Sequence, residues 1–234
     1  MNKSKKSRKA GFTLAEVLIT LGIIGVVAAL TLPTLIKNYQ KQVWVNQLKK
    51  AYSTLGNAFN KMAADEGVVD WKQTYCGENI NGTSDFYNNK DELSEECFSR
   101  IFKQFNVVKK KAYTEPCHDE WCKAGMDTDE EGNVLWTPPE LFDSSMCGEI
   151  VTADGFTYYF VPVGYSPRDI DIFVDINSRA KGPNITGRDI FLFYADLNKG
   201  RILPFDWYGN AQCTANSFDY GCTEQVLREG KMDY

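Results

Sequence analysis

Few residues in this chain have the type and spacing to do chemistry. Glu16 is one, because it opens a run of twenty uncharged residues, Val17 to Ile36. A carboxylate at the edge of so apolar a stretch needs a partner, and an ionisable group in such a place is a functional candidate. His118 is the only histidine; Cys117 precedes it and Cys122 follows four residues on. A metal site or a thiol and imidazole pair needs groups of this kind. The spacing matches no zinc pattern, adjacent side chains point apart, and loop cysteines or a local disulfide account for the same residues. Asp196, Asp206 and Asp219 could contribute to a calcium site but lack EF-hand spacing, and a solvated acidic face explains them as well. Asn81-Gly82-Thr83 and Asn184-Ile185-Thr186 are sequons, informative only in a glycosylating compartment. With no Gly-rich phosphate loop and no paired catalytic carboxylates, an enzyme is not expected.

The elements that position Glu16 follow from length and charge. At 1.5 Å per residue the uncharged run reaches about 30 Å, the thickness of a hydrocarbon core. Lys3, Lys5, Lys6, Arg8 and Lys9 precede it with no acid among the first eleven residues. The positive-inside rule therefore keeps that leader in the cytoplasm and sends the body outward. Without the five leader charges, 21 basic residues face 31 acidic ones, a net charge of −10, which excludes a nucleic-acid binder that works by neutralising phosphates. The seven cysteines, Cys76, Cys97, Cys117, Cys122, Cys147, Cys213 and Cys222, all follow the apolar run, as expected of a body that folds in an oxidising compartment. A signal peptide or a plain single-pass anchor competes with a functional span, and Val27-Ala28-Ala29 has the small residues a signal peptidase wants. The run continues apolar past that point, however, through Leu30, Leu32, Leu35 and Ile36, and carries Glu16 at its start.

The stretch Lys9-Ala10-Gly11-Phe12-Thr13-Leu14-Ala15-Glu16-Val17-Leu18-Ile19 resembles the N-terminal cleavage and methylation signal of type IV prepilins and type II secretion pseudopilins. The resemblance covers roughly the first forty residues of the chain. It implies cleavage by prepilin peptidase between Gly11 and Phe12, N-methylation of Phe12, and an assembly role for Glu16. The amine released at Phe12 is cationic near neutral pH. In a family-like filament it meets Glu16 of a neighbouring subunit, so that a wrong register leaves a charge uncompensated. Such a head-to-tail contact does not close on itself and generates a helical polymer. Pro33 stands where the family often has proline and removes a backbone donor, which predicts a kink or local melting. The implied partners are the membrane, prepilin peptidase, homologous pilin or pseudopilin subunits, and an assembly platform with its ATPase. The implied location is the inner membrane, with a cytoplasmic leader and a head in the periplasm or at the cell surface. No cofactor is required, although some pseudopilins hold calcium in a C-terminal loop.

Beyond the span, Trp44, Leu48, Tyr52, Leu55, Phe59 and Met62 recur at helical spacing, so the helix should continue to about Asp65 as an amphipathic element. A second helix is expected over Asp91 to Phe105, behind an Asp91 cap. Asp127, Asp129, Glu130 and Glu131 mark an acidic loop. Gly155 to Val163, Asp169 to Asn177 and Asp189 to Asn198 read as strands of an antiparallel meander whose apolar face lies on the extended helix. The expected architecture is α+β and pilin-like. It comprises a basic leader (1–11), a transmembrane part of the helix (12–36), its amphipathic continuation (37–65) and a head (66–234). The head carries a cysteine-rich insertion, a sheet at about 155–205 and a C-terminal loop over 213–222, where Cys213 and Cys222 enclose a turn-rich segment and form a candidate disulfide. The segment Lys181 to Asp189 resembles a loop of pseudopilin-like heads. The other reading is a membrane-tethered extracytoplasmic binding protein whose helix only anchors it. A large residue at the cut is expected to block maturation: Gly11→Leu should keep the leader attached, as read by mass spectrometry of the N-terminal peptide.

Overall fold

A computed structural model describes residues 11, 13–80, 83–111, 147–165, 168–178, 181–182, 185–205, 213 and 221–234. The chain divides into two units, Met1–Gln40 and Lys41–Tyr234. Helix α1 (Leu14–Asp65) contributes to both and is assigned without interruption through Pro33.

In the first unit no described helical residue is buried, and Leu14, Leu18, Ile19, Leu21, Ile23, Ile24 and Leu30 are among the exposed apolar side chains. By length and composition this helix can cross a membrane. Thr20 and Thr31 donate their hydroxyls to main-chain oxygens one turn back, which satisfies these two hydroxyls within the helix in an apolar solvent.

In the second unit six strands form an antiparallel sheet in chain order: β1 (Val107–Lys111), β2 (Gly148–Thr152), β3 (Thr157–Tyr165), β4 (Arg168–Asp175), β5 (Ile190–Asp196) and β6 (Arg201–Pro204). Registers such as Phe160↔Ile172 and Ile172↔Phe193 stack like residues across the strands. Tyr158, Phe160, Ile172, Val174, Phe191 and Phe193 lie in one core with Leu48, Ala51, Leu55, Phe59 and Met62 of α1. Ala51 and Ala58 are also buried on this part of the helix. Trp44 and Tyr52 sit at its flanks, Tyr52 stacked on Phe193 at 5.7 Å.

The meander was expected to be apolar on the helix side. Its other face is also buried: Tyr159, Phe173 and Leu192 pair across β3, β4 and β5 and form a second core with Val161, Ile190, Cys147 and Phe205. A sheet covered on both faces needs near-continuous apolar strands, which is why alternation is weak in this part of the sequence. The sheet also extends N-terminally of the expected region, to β1 and β2. β1 is an edge, with Val108, Lys109 and Lys110 exposed on it.

Short helices α2 (Tyr75–Asn79) and α3 (Ser84–Asn88) lead into α4 (Lys90–Phe102). Asn89, not Asp91, occupies the cap of α4, and Asp91 and Glu92 lie in its first turn, where the helix dipole favours acids. Phe98 and Phe102 reach Phe160 at 5.9 and 5.4 Å. Gly148 lies beneath both rings, and a Cβ there would come within 2.6 Å of Phe102. A disulfide joins Cys76 of α2 to Cys97 of α4, both fully buried, with Cys76 Sγ 3.7 Å from Met62 Sδ under α1. Closing a loop of this size is worth about 3 kcal/mol in the chain-entropy account.

Helix α5 (Cys222–Glu229) extends the sheet's other edge. β6 stops at Pro204, and beyond it the Leu192 N–H donates to Thr223 Oγ1 at 3.0 Å, a hydroxyl standing in for a missing strand. Where β5 turns into β6, buried Asp169 accepts from the Leu197 N–H at 2.7 Å beside buried Asp196. Burial first, and then the Asp196 charge, push the Asp169 carboxyl up to about 6 against the pull of its main-chain donors. The folded state holds this proton to higher pH than the unfolded chain does. Its contribution is therefore complete below the unfolded value of 3.8 and is lost as pH rises through about 6. Asp169→Asn is expected to flatten the stability profile between pH 4 and 6 and to raise stability at pH 7 by no more than about 3 kcal/mol. Denaturant melts of the oxidised, detergent-solubilised chain across that range check both.

Candidate processing and assembly site

Gly11 is exposed, and among the described residues nothing lies within 4 Å of the place a Cβ would occupy. Phe12 lies outside the described residues. The helix then begins at Leu14, and its first turn is organised by Thr13 and Glu16. The Thr13 N–H donates to Glu16 Oε2 at 2.8 Å, the Thr13 hydroxyl donates to the same oxygen at 2.7 Å, and the Glu16 N–H donates back to Thr13 Oγ1 at 3.3 Å. This reciprocal pair is a capping box, and it supplies acceptors to N–H groups that the start of a helix otherwise leaves bare.

The arrangement changes the expectation for Glu16. A positive partner is not needed to keep its carboxylate hydrogen-bonded, because Thr13 provides two neutral donors within the same chain. The signal was present in the sequence as Thr13-x-x-Glu16 ahead of an apolar run, the standard mark of a capping box. The helix N-terminus adds a favourable field for negative charge. The site can therefore hold an anion unaided and can also offer that anion to a stronger donor.

The other candidates fall elsewhere. Cys213 and Cys222 are disulfide-bonded, and the Cys213 N–H donates to Gln225 Oε1 at 3.2 Å, fastening the bridge to α5. Cys147 is also in a disulfide, so every cysteine among the described residues is oxidised. Asp196 is taken up by its own turn: it accepts from the Lys199 N–H at 3.0 Å, with Arg201 Nε at 3.7 Å. Among the described residues no group of three or more histidines, cysteines or acids is placed to hold a metal ion. Asp206, Asp219, Cys117, His118, Cys122, Asn81 and Asn184 lie outside the described residues, as does the acidic loop of Asp127, Asp129, Glu130 and Glu131. In the loop from Lys181 to Asp189, buried Asp189 accepts from the Ile185 N–H at 2.7 Å and from Asn177 Nδ2 at 3.0 Å, while Asn177 also donates to the Gly182 oxygen. These bonds brace the connection from β4 to β5.

Residues 6–32 match the family model described as the prokaryotic N-terminal methylation motif. No curated protein and no solved structure matches the chain. The matched segment contains Gly11, Thr13 and Glu16 and most of the apolar run, so the chain carries a type IV prepilin-like signal. If Thr13 caps the helix through its hydroxyl, Thr13→Val should speed amide exchange of residues 16 and 17 severalfold in micelles, whereas Thr13→Ser should not. Hydrogen exchange read by mass spectrometry distinguishes the two.

Proposed function

We propose that the chain is a structural subunit of a type II secretion pseudopilus or type IV pilus. It is inserted as a prepilin, cut by prepilin peptidase between Gly11 and Phe12, methylated on the Phe12 amine and polymerised through α1. One observation carries the reading: the match to the methylation motif over residues 6–32 includes a carboxylate, Glu16, at the head of an uncharged helical run in which no residue is buried. In water such a surface would not be tolerated. In a bilayer, and later among like helices, it is the surface that packs.

The capping box supports a two-step use of Glu16. Before assembly the carboxylate rests on Thr13. Cleavage creates a cationic amine one residue upstream of Thr13, and a neighbour's amine forms a charge-assisted bond that two neutral donors do not match. Exchange of partners then accompanies entry into the filament. The oxidised head lies outside the cytoplasm, where its disulfides persist, and force for movement comes from a separate ATPase and platform.

Glu16→Ala is expected to leave insertion and cleavage intact while reducing filament yield by at least about a hundredfold, because a desolvated amine is left without its counter-charge. N-terminal analysis of the membrane-extracted chain should find methylated Phe12 at the terminus of both proteins. Normal filaments from the Glu16 variant would remove the pairing argument. An unprocessed leader on the unmodified chain would leave the tethered extracytoplasmic binding protein as the reading.

A further inference from the structure

The polar contacts along the head-bound part of α1 are unevenly spread. From Lys50 onward the helix is tied to the sheet and to the elements beside it. Lys50 Nζ meets Asp154 at 2.8 Å and lies over the Phe156 ring, the Tyr52 hydroxyl donates to the Ile202 oxygen, and Phe59 stacks on Trp71 at 4.9 Å. Before Lys50 the pattern differs. Among the described residues, the hydrogen bonds that residues 41–49 make to other elements all come from Lys41, whose Nζ donates to the main-chain oxygens of Met232 at 2.6 Å and Tyr234 at 3.3 Å.

Those acceptors belong to the tail that follows α5. Gly230 ends that helix at φ 69°, a left-handed turn that suits glycine and redirects the chain. Met232 is then buried in the same core as Val45, Leu48 and Val226, and the Tyr234 hydroxyl donates to the Gly187 oxygen between β4 and β5. The tail thus bridges α1 and the sheet side of the head. The helix section it covers also has two enclosed polar atoms without a hydrogen-bond partner, Trp44 Nε1 and Gln47 Oε1. Both would regain bonds to water on exposure, so this section is less firmly committed to burial than the turns that follow it.

We propose that residues 41–48 are a releasable section of α1 and that the tail from Gly230 to Tyr234 is the latch that holds them on the head through Lys41. Opening the latch breaks the Lys41 bonds, uncovers Val45 and Leu48, and lets water reach Trp44 and Gln47. The helix from Lys50 onward keeps its own anchors and stays in place. The latch sits at the first residue of the second unit and operates whether or not the chain polymerises.

Hydrogen exchange by mass spectrometry on the full chain in detergent micelles tests this with three proteins. Lys41→Met keeps the aliphatic stem but cannot donate, removal of residues 231–234 deletes the acceptors, and Lys41→Arg retains donors. The first two are expected to exchange amides 45–49 about tenfold faster, with amides 55–62 within about twofold of the unmodified chain. Lys41→Arg should stay near the unmodified rate. Unchanged protection at 45–49 in Lys41→Met overturns the proposal. So does acceleration spread equally over 45–62, which is general loosening rather than a latch.

Discussion

One helix has to satisfy two surroundings, and the rest of the molecule follows from that constraint. The first unit's part of α1 buries nothing, while from Val45 to Ala63 the same helix supplies eight buried residues to the head. Neither half could exchange places with the other. The uncharged run of Val17 to Ile36 has no charged side to turn toward water beside a sheet, and a stripe bordered by Lys49, Lys50 and Lys61 would not enter lipid. The capping box lets the apolar half begin with a carboxylate and still leave that group hydrogen-bonded.

The head meets its side of the constraint with a sheet buried on both faces. One face accepts α1 and α4, and the other closes over a second core that includes Cys147 and Phe205. Disulfides then bind the short elements that apolar area alone would hold weakly. Cys76 and Cys97 join α2 to α4 under Met62, and Cys213 and Cys222 fasten the start of α5, whose Thr223 completes the hydrogen bonding of β5. The head is therefore held by disulfides as well as by packing.

The parts legible in the sequence were those written in contiguous residues. Leader charge, Gly11, Glu16 and the length of the apolar run are local facts, and the helix stripe was visible at Leu48, Leu55, Phe59 and Met62. Strands β3, β4 and β5 were legible as Phe-, Tyr- and Ile-rich runs. β1 was hidden because Lys109, Lys110 and Lys111 give it no apolar pattern, and β6 because four residues hold little periodicity. Buried Ala51 and Ala58 have no signature of their own because small residues do not weigh in a hydrophobic stripe. Thr13 was missed because the apolar run made a charged partner the obvious need. The Cys76–Cys97 link joins residues 21 apart, a pairing that the fold decides and spacing does not. The tail contacts of Lys41 span 191 residues and have no local signature at all.

The exposed rim at β1 has a consequence for crowding. Chains held in one membrane plane by their helices would meet far more often than in free solution, and an open strand invites sheets to fuse side by side. Lys109 and Lys110 stand on that strand beside exposed Val108. Two such rims bring like charges together, so lateral merging of heads is disfavoured.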